Sequence, residues 1–401
     1  MLKSIIKSIQ VISFTFSNEL KRIFTDTGAL LILLGAAVIY PLAYSVAYKN
    51  NVLEEIPIGI VDLDNTVASH QLEKMINSSE KVSFYSAYEN LEEAKTDLWN
   101  KKINGVVLIS KGFETQLSKG EQATISLYSD AGYFLIYKET LTGVLQSTSM
   151  FSAGIEIKKL MAKGSSQEQA LMKRQPINSS FYNLYNPSSS YGPYVMPGIL
   201  LIILQQTLLV GIGMVNGTDR EKRNNKIVFP GMMKQRGVYS IIIGKSLAYF
   251  FTSIFSFSFA LIWVHKWFTY PSKEAFVDLL VFLVPFIFAT IFLGLAISLI
   301  FQKREHSVMF LVFLSPIVLF LSGISWPAAL IPKPLYFLAH IFPGTKMAPA
   351  YLRLRTMGVD LSDVRSELIF LIVQMVIYFF IAAAAYKFAI NKQKNKQENR
   401  A

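Results

Sequence analysis

The sequence contains no cysteine, which excludes disulfide frameworks, thiol nucleophiles and cysteine-ligated metal centres. Its four histidines, His70, His265, His306 and His340, lie far apart in the chain. None is paired with another at ligand spacing, so no metal site is expected. Charge is scarce as well: 16% of the 401 residues are Asp, Glu, Lys or Arg, against about 25% in soluble domains. What fills the space is apolar, 52% of the chain including 30 Phe and 19 Tyr, and mean hydropathy is +0.37. This composition is that of a membrane protein. The net charge of +12 sits largely beside the apolar runs rather than in a basic stripe with interleaved aromatics, so nucleic acid is not an expected partner.

Six nearly uncharged runs reach the ~20 residues that cross a bilayer as a helix. They predict transmembrane helices over 28–48, 195–216, 239–264, 279–302, 307–324 and 368–390, with a tail over 391–401. The first run follows a long amphipathic stretch and exceeds a signal-peptide core of ~7–15 residues, so it is read as a permanent span. Orientation follows from Lys and Arg in the short connecting segments. With the N-terminus inside, segments 1–27, 217–238, 303–306 and 387–401 hold 4, 6, 2 and 5 of them, 17 together. The short outer segments 265–278 and 333–367 hold 2 and 5, 7 together, so both termini are expected to be cytoplasmic. Residues 1–27 alternate Lys3 and Lys7 with Ile5, Ile6, Ile9, Val11, Ile12, Phe14 and Phe16, the composition of a helix lying in the membrane interface.

Residues 49–194 form a separate, extracytoplasmic domain in this reading. Strands are expected at 58–62, 82–86, 105–109 and 123–129, with helices over 67–77 and 91–101 between them. Strands alternating with helices imply an α/β domain with a partly parallel sheet. A long helix over about 133–163 and a linker rich in Asn, Ser, Tyr and Pro over 178–194 lead back to the second span. The fold class is therefore an α-helical integral membrane protein of six spans with an α/β domain inserted between the first two.

Sequence motifs for chemistry are few. Gly244-Lys245-Ser246 imitates the end of a phosphate-binding loop, yet Tyr239 stands where that loop needs its first glycine. Lys245 is expected to snorkel to the cytoplasmic end of its span. Asp62 and Asp64, two residues apart at a strand end, could ligate Mg²⁺ or act as acid and base, but with Asn65 and Thr66 they read more simply as a turn and helix cap. Asn-x-Ser/Thr triplets at Asn77, Asn178 and Asn216 are too short to be informative. The spans contain no Asp or Glu at mid-depth, which removes the ion-binding carboxylates of an ion-coupled carrier. A transporter built this way needs an external source of energy.

Several segments carry a family resemblance. Asn18-Glu-Leu-Lys-Arg-Ile-Phe-Thr-Asp26 precedes the first span, and Ile58-Gly-Ile-Val-Asp-Leu-Asp-Asn65, Glu93-Ala94, Gly105-Val-Val-Leu-Ile109, Phe113, Leu117 and Gly120 follow. Beyond the second span come Asp219-Arg-Glu-Lys222 and Gly244-Lys245, then Leu321-Ser-Gly-Ile-Ser-Trp-Pro327, Pro332 and Phe342-Pro343. In this order and spacing the whole chain resembles ABC-2 type permeases, in the subgroup with a large extracytoplasmic domain between the first two helices. One departure is that Arg223-Asn-Asn-Lys226 stands where the family usually continues with an acidic residue and Gly-Thr.

The resemblance implies the permease subunit of an ATP-driven exporter in a bacterial inner membrane. Such a chain has no catalytic site and no cofactor of its own; ATP and Mg²⁺ are bound by separate ATPase subunits. It pairs with a second permease copy or a paralogue, and a periplasmic adaptor and outer-membrane channel often complete such systems. The substrate class implied is an amphiphile, such as a drug or lipid. Glu19, Lys21, Arg22, Arg220, Glu221 and Lys222 are then the expected, solvent-exposed contacts with the ATPases. Ser322, Gly323, Trp326, Pro327, Pro332 and Pro343 interrupt the chain after the fifth span, and 322–345 is expected to be a re-entrant gate. The rival reading is a membrane-anchored sensor whose α/β domain binds a ligand.

Overall fold

The structure, a computed structural model, describes residues 2–49, 53–187, 190–222 and 237–398, with side chains over 5–392 of these. Of the 217–238 loop, residues 223–236, and with them Arg223 to Lys226, lie outside the described residues. The chain divides into two compact units, one of Met1–Lys49 with Asn183–Ala401 and one of Asn50–Tyr182.

The smaller unit holds a four-stranded sheet of order β2-β1-β3-β4, with β1 at Ile56–Asp62, β2 at Val82–Ala87, β3 at Gly105–Ile109 and β4 at Ile125–Ser129. Strand β1 runs parallel to β2 and to β3, and β4 closes the sheet antiparallel to β3. Both faces of the central strands are covered, which is why Ile58-Gly-Ile-Val61 and Val106-Val107 are continuous apolar runs rather than alternating ones. On one face Ile58, Ile60, Val107 and Ile109 pack with Leu72 and Ile76 of helix Val67–Asn77 and with Phe113, Val144 and Phe151. On the other, Val61 and Val106 pack with Tyr88, Ala94 and Ile103.

Asp62 and Asp64 part company at the end of β1. Asp62 accepts from the backbone N–H groups of Asp64 and Asn65 (2.9 and 3.1 Å) and from Ser69 Oγ (2.5 Å). Asp64 turns to the next loop and accepts from Gly112 N (2.6 Å) and Glu114 N (2.9 Å). Those two N–H groups open helix Phe113–Lys119, which the sequence pattern did not reveal because seven residues are too short for a periodicity. The turn-and-cap reading holds for the region, with Thr66 rather than Asp64 capping helix Val67–Asn77 in a capping box with Ser69. The long helix is Phe134–Ala162, and a further helix, Gln167–Arg174, capped by Ser166, lies between it and the linker, in residues the sequence pattern left unassigned.

The larger unit is helical. An N-terminal helix, Leu2–Thr25, precedes six helices that, among the described residues, are long and apolar enough to cross a membrane: Thr27–Ala47, Tyr191–Lys222, Val238–Trp267, Phe276–Ser298, Arg304–Leu321 and Arg365–Lys392. The protein is thus mostly helical, with several candidate membrane-spanning helices. The second of these is buried through its middle, over nearly all of 195–217, whereas in the fifth Ser307, Leu311 and Val318 are the buried positions. Between apolar helices in lipid, close packing replaces the hydrophobic effect as the associating force. The second helix uses glycine for this: a Cβ on Gly217 would lie 2.8 Å from the Arg304 backbone, and one on Gly213 would meet Ser307 Oγ at 2.0 Å. The first and third helices each contain one π-helical stretch, Leu31–Ala36 and Phe259–Val264, and a third stretch, Arg353–Met357, follows helix Pro343–Leu352.

Close fit also governs the centre of the sheet. A Cβ on Gly59 in β1 would stand 2.5 Å from the ring of Tyr88, a side chain that is itself buried and bonded through its hydroxyl to Asp97. Gly59→Val should therefore destabilise the smaller unit by about 1–3 kcal/mol through overpacking. Thermal unfolding of the purified chain measures this, and a variant as stable as the parent would mean that the Tyr88 side of the sheet is loosely packed.

Candidate functional site

The N-terminal helix turns a narrow stripe inward. Val11, Thr15, Glu19 and Ile23, spaced by four, are buried, while Ile5, Ile6, Ile9, Phe14 and Phe24 are exposed. The stripe lies on the third apolar helix, and the two backbones meet at Gly244, where a Cβ would come within 2.7 Å of the Ile12 carbonyl oxygen and 2.8 Å of Thr15 Cβ. Phe16 packs edge-on to Phe251 a little further along. Glycine is required at 244 because any side chain would separate the helices.

That approach buries an ion pair. Lys245, the residue after the glycine, is 7% exposed and Glu19 is 1% exposed. Lys245 Nζ donates to Glu19 Oε1 at 2.9 Å and to Asn216 Oδ1 of the second helix at 2.6 Å. The Tyr249 hydroxyl donates to the same carboxylate oxygen at 2.9 Å, and Arg22 Nη1 reaches the other at 3.2 Å. The ring of Tyr386, in the sixth helix, lies 5.9 Å from the ammonium, within the range of a cation–π attraction. Asn216 is fixed in turn by donating through Nδ2 to Ile212 O. Burial pushes the Glu19 carboxyl up, and the nearby charges of Lys245 and Arg22, with the hydrogen bonds from Lys245 and Tyr249, more than reverse this, so it stays below its ordinary 4.5. Its stabilising contribution is therefore present at neutral pH and is lost only as the pH falls through values below 4.5.

A second tier of charges surrounds this pair. Arg22 Nη2 lies 3.4 Å from Asp219 Oδ1 at the end of the second helix. Asp26 caps the first apolar helix by accepting from Gly28 N and Ala29 N, and takes Arg304 Nη1 at 3.2 Å. Arg304 N donates to Glu221 Oε1 at 2.8 Å. Arg220 donates to the carbonyls of Leu299 (2.8 Å) and Phe301 (2.7 Å), in the turn that follows the fourth helix. The N-terminal helix is thus tied by polar contacts to the second and third apolar helices, and the same network joins those to the fifth and sixth and to the turn after the fourth.

Several expectations are corrected here. Lys245 does not snorkel; it is buried against Glu19, a partner 226 positions away in sequence and so invisible to local reasoning. Glu19 is not exposed, and Arg220 and Glu221 have partners within the chain. Lys21 and Lys222 alone of the six are exposed with no polar partner among the described residues. Sequence reasoning missed Asn216, Tyr249, Tyr386, Asp26 and Arg304. The spacing of Val11, Thr15, Glu19 and Ile23, with one carboxylate in an otherwise uncharged stripe, was the available signal.

The segment after the fifth helix is broken into short pieces. Gly323 stands at φ +82°, ending helix Arg304–Leu321. Trp326 is half-exposed and stacks on Phe320, and Pro327 precedes the 3₁₀ turn Ala328–Leu330. Pro332 starts helix Lys333–Ala339, and Pro343 begins helix Pro343–Leu352. Ser322, Pro343, Gly344 and Thr345 are buried. Gly344 N donates to Gln205 Oε1 at 2.6 Å, and a Cβ there would touch Ile202. Gln205 lies near the middle of the second apolar helix, so the broken segment packs deep along that helix rather than at its end.

A bundle of apolar helices held at one end by a buried ion pair, with a broken segment packed beside its second helix, is the architecture of a helical membrane protein. Residues 28–384 match the ABC-2 family transporter protein model, and the chain belongs to that family. It is 22% identical over 364 residues to the linearmycin resistance permease protein LnrN of Bacillus subtilis (strain 168), covering 86% of this chain and 91% of that protein. A crystallised domain assigned to an ABC type-2 transporter of Thermotoga maritima MSB8 aligns with 30% of this chain and 81% of its own, at 19% identity and a TM-score of 0.21, too low to bear on the fold.

Breaking one side of a buried pair strands the other charge. Glu19→Gln and Lys245→Met should each lower stability by about 3–5 kcal/mol, while the two together should recover most of the loss. Thermal unfolding of the four proteins in one detergent measures this. Additive single effects would show that the two groups do not interact.

Proposed function

We propose that this chain is the membrane subunit of an ATP-driven exporter of amphiphilic compounds, working with separate ATPase subunits and a second permease copy. The observation that carries the coupling part of this reading is the buried Glu19–Lys245 pair: it makes the N-terminal helix one mechanical piece with the second, third and sixth apolar helices. A push on that helix from an ATPase would reach the interior of the bundle without a compliant link. Family membership supplies the ATPase partners as an inference, and a relative named as a resistance permease supports export as the direction of transport.

In this reading the six apolar helices span the membrane, both termini and 217–238 face the cytoplasm, and the α/β unit lies outside. Lys21 and Lys222 are the side chains free to meet the ATPase, whereas Arg22, Arg220 and Glu221 act through the network that holds the helix ends. The 322–345 segment closes the far side of the pathway, a role supported by its contact with Gln205.

Co-expression with a cognate ATPase tests the proposal. Lys21→Glu with Lys222→Glu should reduce ATPase recovered with the permease several-fold at unchanged membrane abundance; undiminished recovery would move the docking surface elsewhere. Trp326→Ala and Gly323→Leu should lower export while the ATPase activity of the assembled complex persists. Cysteine placed at Lys119 should react with an impermeant reagent in intact cells, and cysteine at Lys226 only after permeabilisation; the reverse pattern would invert the topology.

A further inference from the structure

The smaller unit carries a side-chain group unrelated to the helical network. Asp62 at the end of β1 and His70 and Glu73 on helix Val67–Asn77 each direct one potential ligand atom into a space where all three lie within 4.8 Å of one another. His70 and Glu73 are three apart and therefore share a helix face. The face is the one turned to the end of β1, with His70 Nε2 4.0 Å from Asp62 Oδ2.

The three groups differ in how firmly they are held. The Asp62 side chain is 7% exposed and fixed by two backbone N–H groups on Oδ1 and the Ser69 hydroxyl on Oδ2. Glu73 is half-buried and faces Asp62, and it has no hydrogen bond or ion pair among the described residues. Two carboxylates are thus brought together at a strand end beside one imidazole. Such a juxtaposition is costly on its own and is relieved by a divalent cation, whose two charges match the two carboxylates. One nitrogen and two oxygen donors select a borderline first-row ion over Mg²⁺ or Ca²⁺, which take oxygen ligands. Tetrahedral donors at ~2.1 Å from Zn²⁺ are roughly 3.4 Å apart, so the site closes by a modest rotation of the His70 and Glu73 side chains, both on the open side.

We propose that Asp62, His70 and Glu73 form a three-ligand Zn²⁺ site that joins the end of β1 to helix Val67–Asn77 and leaves a fourth coordination position open. Ser69 acts as a positioning residue, orienting the Asp62 carboxylate through its hydroxyl. Spacing among histidines could not reveal the site, because its single histidine is completed by carboxylates.

Titration of chelator-stripped, full-length protein with Zn²⁺ tests this by calorimetry, with Co²⁺ as a coloured probe of ligand geometry. One saturable site per chain is expected, with a tetrahedral Co²⁺ absorption band. His70→Ala and Glu73→Gln should each abolish that site while unfolding at the same temperature as the metal-free parent. Ser69→Ala should weaken binding ~10-fold, as loss of a partner orienting a ligand does. No stoichiometric site in the parent, or a site that persists in both His70→Ala and Glu73→Gln, would overturn the proposal.

Discussion

The packing of the N-terminal helix turns on the contact between two backbones at Gly244. Without that contact Lys245 would have no carboxylate within reach, and an ammonium in an apolar interior is among the costliest groups a protein can bury. With it, the charge is matched by Glu19, hydrogen-bonded by Asn216 and faced by the Tyr386 ring. An ion pair in such surroundings contributes little net stability compared with an apolar replacement. What it confers is registration: a slide of the N-terminal helix by one turn would carry Glu19 away from Lys245 and leave the buried ammonium without its carboxylate. The outer ring of Arg22, Asp219, Asp26, Arg304 and Glu221 acts in the same direction, each member joining elements distant in sequence.

This arrangement distributes tasks along the second helix. Its end carries Asn216, Asp219, Arg220 and Glu221, all engaged with other elements, while its middle offers Gln205 to the broken segment. A single rigid rod thus contacts both the charged network and the region that the sequence marked as interrupted. Its glycines let neighbours sit against its backbone, so movement of the rod would be felt by several helices at once.

Much of this architecture was legible from composition. The long uncharged runs coincide with apolar helices among the described residues, because hydrophobic length is a strong signal over twenty residues. The strands and the long helix of the smaller unit were legible for similar reasons, as apolar runs bounded by Asp, Asn and Gly. Helices Phe113–Lys119 and Gln167–Arg174 escaped notice because each spans about two turns. The site was only half legible. Glu19 and the Gly244-Lys245 pair stood out individually, but their meeting depends on which face the N-terminal helix presents and where the third helix passes. The same limit made Lys245 look like a surface lysine and Arg220 and Glu221 look free, when each has an assigned partner inside the chain.

The π-helical stretch of the third helix has a consequence for how this chain tolerates length changes. In Phe259–Val264 the backbone accommodates roughly one residue more than an α-helical turn would hold, and the guanidinium of Arg355 bonds the carbonyl of Leu261 there. Removing one residue from that stretch would restore ordinary helical pairing and leave the faces on either side in their present orientation. Removing one elsewhere, between Lys245 and Phe259, would rotate everything beyond it by about 100°, turning His265 and the loop that carries Ser272 and Glu274 away from Arg355. Related chains one residue shorter in this helix should therefore carry their gap within 259–264, together with a different solution for the arginine.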